Sequence, residues 1–549
     1  MRLNDLIIEH KNAGKAFLAS RRTFLHSVMP MLALPFVKGQ TTSFFDEFPK
    51  EYKRDYSVCL NPDIILKDPG LLDIVGEAGV NAVWIAAYFY GFWPYPIDKI
   101  LQAQKLVLKK GMVPLVITIP FGHPGDALHA GDDSFPLISP SSWPRSTDIN
   151  GKVYAGTSVG EIVNIENARA LGELSKMGFK QCMLDDDFRI ARGPGMVGGS
   201  FDPATRDLFL KRGGYAPYQW DELLQNIREN HLTGLVYDWV NWYCDQMTHS
   251  FRTQQHAFNN DLGIMVMYLG AEKAGIRLTD FPGVNMRVGE LHFGDRSLLD
   301  PKGWTDELFS VLFHRRYIKP ENAWSETTAF PADALSVANM SAKLTVSTIA
   351  DVRHTTFMSG LTPFPKNYWA TLSTAMRTQK KYHEKIAGHE LKGPLKHFWG
   401  EASRYVGKDK PFSLWLASGI PFEVIEKLEQ GQDGWIFMSD EDYDHLDSNA
   451  RPGNLIVRAE IKKNDEKVLG LKEDLDALWQ WKRNITPALK QNKTPYIIEE
   501  HPAVCAWYPG ASCVLVWNLS DAPVSLTVQF GSRSIRNDYK PLESQLVRL

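Results

Sequence analysis

Short apolar runs alternate with longer amphipathic stretches along most of the chain. The runs fall at 56–61, 82–90, 113–120, 181–187, 263–269, 285–292, 323–328 and 354–361. Each is apolar through most of its length and closes on polar residues, the pattern of strands buried on both faces of a parallel sheet. The stretches at 68–78, 98–110, 165–177, 220–259, 302–317 and 335–350 predict helices, and the fourth is longer than one helix. Eight such β/α units predict an α/β fold, a closed (β/α)8 barrel, over 41–390. No glycine-rich phosphate fingerprint follows the first run, which argues against an open dinucleotide-binding sheet.

The pattern changes after a helix at 368–385. Apolar runs at 412–417 and 434–439 flank a further helix, which predicts a small α/β domain at 391–498. Alternation at 503–507, 513–518, 524–530 and 545–549 predicts a C-terminal β-sandwich at 499–549. A chain of 549 residues exceeds what one hydrophobic core supports, so several domains are expected.

The first forty residues read differently. Ser20-Arg21-Arg22-Thr23-Phe24-Leu25 precedes an apolar stretch at 26–37, too short to span a bilayer and suited to the core of a twin-arginine export signal. An ordinary helix with a basic start is the alternative. Cleavage near Gly39 or Gln40 would send the rest of the chain out of the cytoplasm, to the periplasm. No later run reaches the roughly 18 apolar residues of a membrane span.

Net charge is -3 with lysine and arginine scattered, so no broad basic face for nucleic acid is expected. The 16 Trp, 19 Tyr and 28 Phe supply flat rings that fill cores or stack on sugars. Five cysteines form no CxxC pair; Cys505 and Cys513 could bridge if their strands are adjacent. No Gly-x-Ser-x-Gly elbow is present, and no cofactor is expected.

In barrels of this kind the chemistry sits where strands end. The fourth run closes on Asp185-Asp186-Asp187-Phe188-Arg189, and three adjacent carboxylates need a cation, a proton or a metal. Alternation puts Asp185 and Asp187 on one side and Asp186 on the other. The seventh run closes on Trp324-Ser325-Glu326-Thr327-Thr328. Strands four and seven face each other across a barrel, so they can supply the two carboxyls that glycoside cleavage needs. The bland alternatives are an acidic helix cap or calcium loop for the triplet, and a helix N-cap neighbour or a surface ion pair for Glu326.

The sixth run adds Arg287, Glu290, His292 and Asp295. Glu290 is the substitute for Glu326 should the strand count slip, and Glu290 with His292 and the triplet could hold a divalent metal, although their spacing fits no compact motif. Asn61, Tyr88, Trp93, Trp324 and Arg353 are further candidates for substrate contacts, together with Asp185, Arg189, Glu290 and His292. For Tyr88 and Trp93, which follow the second run with Tyr90 and Tyr95, a packed loop is the equal alternative.

These residues carry a resemblance. The order of domains and the strand-end acids resemble the family 42 β-galactosidases, within the clan of retaining glycosidases with acid/base on strand four and nucleophile on strand seven. In that family strand four ends Asp-Asn-Glu before an aromatic, where this chain has Asp185-Asp186-Asp187-Phe188. The resemblance implies Asp187 as acid/base, Asp186 at the asparagine that contacts the sugar 2-hydroxyl, and Glu326 as nucleophile. It also implies a β-galactoside- or β-mannoside-like substrate, a glycoside or oligosaccharide, and a homotrimer or homodimer. Aspartate in place of glutamate, and Asp186 in place of an amide donor, mark a divergent family.

Overall fold

The structure, a computed structural model, describes residues 52–121, 139–157, 159–185, 188–191, 193–429, 432–447, 452–461 and 468–549. The expected export signal at 1–40 lies outside the described residues, as do Asp186 and Asp187.

Eight strands close a parallel barrel in sequence order: β1 Asp55–Leu60, β2 Ala82–Phe89, β3 Val113–Ile119, β4 Gln181–Leu184, β5 Asp261–Val266, β6 Met286–Val288, β7 Ala323–Thr328 and β8 His354–Met358. Helices cover the outside, which is why β2 and β7 are buried at every position. Local chemistry starts and stops these helices. Asn61 caps Pro62–Lys67 by accepting from the Ile64 N–H, with proline fixing the first turn. Asp300 and Ser336 cap Pro301–His314 and Val337–Ile349 in the same way. The long stretch at 220–259 is two helices, Gln219–Arg228 and Gly234–Phe258, the second capped by Thr233.

Several strands are shorter than their apolar runs. β6 ends at Val288, where the chain crosses close to its neighbour: a Cβ on Gly289 would lie 2.6 Å from the Met267 carbonyl oxygen. Only glycine fits there, and the segment 290–292 then turns toward the helices.

A second sheet, all parallel, follows the barrel in the order Phe422–Ile425, Leu395–Phe398, Trp435–Met438, Leu455–Arg458, Val468–Leu471. It differs locally from the apolar pattern. The run at 412–417 is a buried 3-10 turn, Leu414–Ala417, and the expected helix after it is replaced by the strand Phe422–Ile425. Two antiparallel three-stranded sheets complete the chain, the first opening at Tyr496–Ile497. Ile497, Cys505, Val516, Leu526 and Val547 from both sheets share one apolar core. Cys505 and Cys513 do lie on adjacent strands, but Cys505 faces Val516 and Cys513 faces Tyr508, so the register keeps them apart and both are free thiols. No helix among the described residues is long and apolar enough to cross a membrane.

Candidate active site

The parallel register stacks one polar layer inside the barrel. Glu326 pairs laterally with Thr356 on β8, and Arg287 pairs with Met265 on β5. Asp185 continues β4 by donating its N–H to the Thr118 carbonyl, 2.9 Å. Side chains two apart on a strand share a face, so Asp185, Arg287 and Glu326 all point inward.

There they meet. Arg287 Nη2 donates to Asp185 Oδ1, and its Nε lies 3.0 Å from Glu326 Oε2. The other Glu326 oxygen, Oε1, accepts the Thr328 hydroxyl. Arg287 is steadied by two thioethers, Met265 Sδ at 2.9 Å and Met358 Sδ at 3.5 Å. Arg287 is 1% exposed and Glu326 3%, so these charges act on one another with little screening by water. Burial raises the Glu326 carboxyl above its ordinary value; Arg287 opposes that rise, and Asp185 adds to it. The Cys59 thiol on β1 is pushed up by burial and by the same acids.

A second buried cluster lies on the helix side of the strands. Lys343 Nζ, on helix Val337–Ile349, is 2.8 Å from Glu290 Oε2 and 3.0 Å from Glu307 Oε1. It also donates to the His292 carbonyl at 2.7 Å, while Glu307 accepts the Leu291 and His292 N–H groups. Burial is the main force that pushes Glu290 up to about 8; Lys343 opposes it and Glu307 reinforces it.

The remaining sequence candidates fall in several places. Glu290 belongs to this outer cluster, because the side of the chain that follows Gly289 faces the helices rather than the barrel interior. The His292 backbone is held by the same residues. Trp324 is a correction: two residues before Glu326 on the same face, it is buried beneath the polar layer, edge-on to Trp84 and stacked on His354 at 4.4 Å. Arg353 is another, since it precedes β8 and so stands at the opposite mouth, 3.4 Å from Asp351. Asn61 stands at the correct mouth, but its side chain is spent on the helix cap and on the Leu361 carbonyl. Arg189 is buried against the Tyr268 ring and donates to its hydroxyl at 3.2 Å. Tyr88 and Trp93 meet edge-on at 5.4 Å near the end of β2.

Arg287, Lys343 and Glu307 are the charges of these clusters to which the sequence pattern assigns no role. Lys343 has a signal: one lysine within Met-Ser-Ala-Lys-Leu-Thr-Val, inside an otherwise apolar helix. Among the described residues no group of three or more histidines, cysteines or acids is arranged to hold a metal ion. An open hollow of about 870 Å³ lies beside helix Leu475–Gln491. Its Lys472, Asp474 and Asp476 are exposed, whereas the barrel charges are buried and mutually paired, a state that costs stability.

Fold and site together define a class: a (β/α)8 barrel followed by further sheets, with paired charges buried inside the barrel. The β-galactosidase of Rahnella sp. R3 shares this fold at a TM-score of 0.54 and 9% identity, over 91% of this chain and 98% of that one. A catalytic mutant of a GH42 β-galactosidase from G. stearothermophilus does so at 0.54 and 8%, with the same coverage. At such identity the likeness is one of fold. No family model and no curated protein matches the sequence, as a divergent family would have it.

Proposed function

We propose that the chain is a glycoside hydrolase that cleaves β-linked glycosides, galactoside- or mannoside-like, by retaining double displacement. The observation that carries the proposal is the two-point hold on Glu326, with Arg287 at one oxygen and Thr328 at the other. A nucleophile needs an ionised carboxylate in one fixed orientation, and a cation on one oxygen with a hydroxyl on the other provides that. Asp187 is the acid/base in this proposal, on its sequence position at the close of the fourth apolar run and on the resemblance. Replacing Glu326 by glutamine is expected to lower turnover of aryl glycosides by at least about 1,000-fold with an unchanged melting temperature. Proton NMR of the first-formed product should show the substrate's own anomer; the inverted anomer would replace the mechanism by inversion.

One observation favours a second function, a sugar-binding barrel without catalysis: Glu326 is 3% exposed and already paired with Arg287. Sugar binding by calorimetry without hydrolysis across an aryl glycoside panel would establish it. The proposal includes export through the segment at 1–40, tested by N-terminal sequencing of periplasmic protein, and a homo-oligomer, tested by sedimentation.

A further inference from the structure

The chain that leaves β4 is tied down at several points. The acid triplet begins at Asp185, whose carbonyl accepts the Phe188 N–H at 2.8 Å. Phe188 is 0% exposed and stacks on Phe121 at 5.6 Å. In sequence Asp186 and Asp187 stand between these two fixed residues. Further on, Ile190 donates its N–H to the Ala274 carbonyl at 2.9 Å, and Gly198 donates to the Lys273 carbonyl at 2.8 Å. Gly199 donates back to the Ile190 carbonyl at 3.2 Å. The loop after β4 thus leans on the loop after β5 at residues 273 and 274.

Lys273 in turn reaches out of the barrel. Its side chain is 1% exposed and enters the connection at 399–421, which joins Leu395–Phe398 to Phe422–Ile425 of the second sheet. There Nζ donates to the Ser403 carbonyl at 3.1 Å, to the Gly407 carbonyl and to Asp409 Oδ1 at 2.6 Å. The other Asp409 oxygen, Oδ2, accepts the Gly195 N–H of the β4 loop at 2.9 Å. Main chains meet at that point: Gly195 has φ +73, and a Cβ on it would lie 2.8 Å from the Lys408 carbonyl oxygen. Asp409 is 5% exposed, on backbone with φ 56, and spends one oxygen on each loop. A buried carboxylate held by a cation on one side and a main-chain N–H on the other is directional in a way that apolar packing is not.

We propose that Asp409 is a positioning residue for acid catalysis: by fixing Lys273 and Gly195 together it sets the loop that carries the acid of β4, so the connection at 399–421 is part of the catalytic apparatus. This rests on the glycosidase function proposed above. Asp409 touches no reacting atom and acts through the loop. A proton donor has to stand within hydrogen-bond reach of the leaving oxygen, and a displacement of about 1 Å costs roughly 100-fold. Glu326 is held separately, by Arg287 and Thr328, so a shift of the β4 loop bears on the acid before it bears on the nucleophile.

The test uses the whole chain and compares phenyl with 2,4-dinitrophenyl β-galactosides and β-mannosides. As the bond to the anomeric carbon breaks, the phenyl oxygen leaves with the electron pair and takes the proton of the acid, whereas dinitrophenolate departs without one. The readout is the ratio of kcat/KM for the dinitrophenyl glycoside to that for the phenyl glycoside. Asp409→Asn keeps a residue that tolerates positive φ and removes the charge that holds Lys273; it is expected to raise this ratio at least about tenfold over wild type. Gly195→Ala pushes the loop off Lys408 without altering a charge and is expected to do the same; if Asp409→Asn does not fold, this second variant decides the question. A residue that only supports the fold would lower both rates together and leave the ratio in place. The inference is overturned if either folded variant raises the ratio by less than about tenfold. A wild-type chain that turns over none of the four glycosides would overturn the glycosidase function and this inference with it. An active wild type whose ratio the substitutions do not move overturns the inference alone.

Discussion

Two buried clusters of the same composition sit on opposite sides of one pair of strands. Inside the barrel, Arg287 stands between Asp185 and Glu326; outside, Lys343 stands between Glu290 and Glu307. Among the described residues each shows one cation and two acids. They differ in what else they bind. The outer cluster ties main chain, through the Leu291 and His292 N–H groups and the His292 carbonyl, and so fixes the loop after β6. The inner one binds side chains, with thioethers and a hydroxyl as further contacts, and orients a carboxylate at the mouth. Charge that holds backbone fixes a loop; charge that aims a carboxylate is what the proposed glycosidase function asks of Glu326.

Substitution should separate the two. The largest effect is expected from Arg287→Met, which leaves Glu326 buried without its cation. Such loss costs about 3 to 5 kcal/mol, so kcat/KM should fall by roughly 1,000-fold. The acidic limb of the pH profile should rise, because Arg287 is what opposes the upward push of burial on Glu326. Lys343→Met should do the reverse. Urea denaturation should show a loss of about 3 to 5 kcal/mol in stability, with much smaller change in kcat/KM for the folded fraction. Equal effects of the two substitutions on activity would erase the distinction.

The smallest effect is expected from Glu290→Gln. Glu290 holds its proton up to about 8 in the folded chain and to about 4.5 in the unfolded one, so the native state binds more protons between those values. Stability from this group is therefore present below the unfolded value, falls as pH rises through that window, and levels off above it. Melting temperatures of Glu290→Gln should decline less steeply than wild type from pH 5 to 8; parallel curves would show that Glu290 ionises normally.

The barrel is legible in the sequence because eight apolar runs each close on polar residues, a signal carried by burial on both faces. Glu326 is legible for the same reason, as an acid where an apolar strand ends. What periodicity does not carry is the sense of which end and which face. Trp324 and Arg353 lie next to strand ends in sequence, yet one is core and the other stands at the far mouth. Glu290 is misplaced by the pattern because Gly289 turns the chain after β6, and a close approach to β5 leaves no mark in hydrophobic periodicity. Asn61 does carry a local signal: asparagine before proline at a helix start is a capping sequence. Asp185 reads in the sequence as a substrate contact, whereas its contact with Arg287 joins residues 102 positions apart, beyond any local pattern.

The central claim is that Glu326 is the nucleophile of a retaining glycosidase. The most direct test is to incubate the protein with 2,4-dinitrophenyl 2-deoxy-2-fluoro-β-galactoside and its mannoside counterpart, then map the labelled peptide by mass spectrometry. One equivalent of fluorosugar ester-linked to Glu326, with matching loss of activity, is the predicted result. A label on another carboxylate, or dinitrophenolate release by the parent glycosides without any covalent adduct, would contradict it.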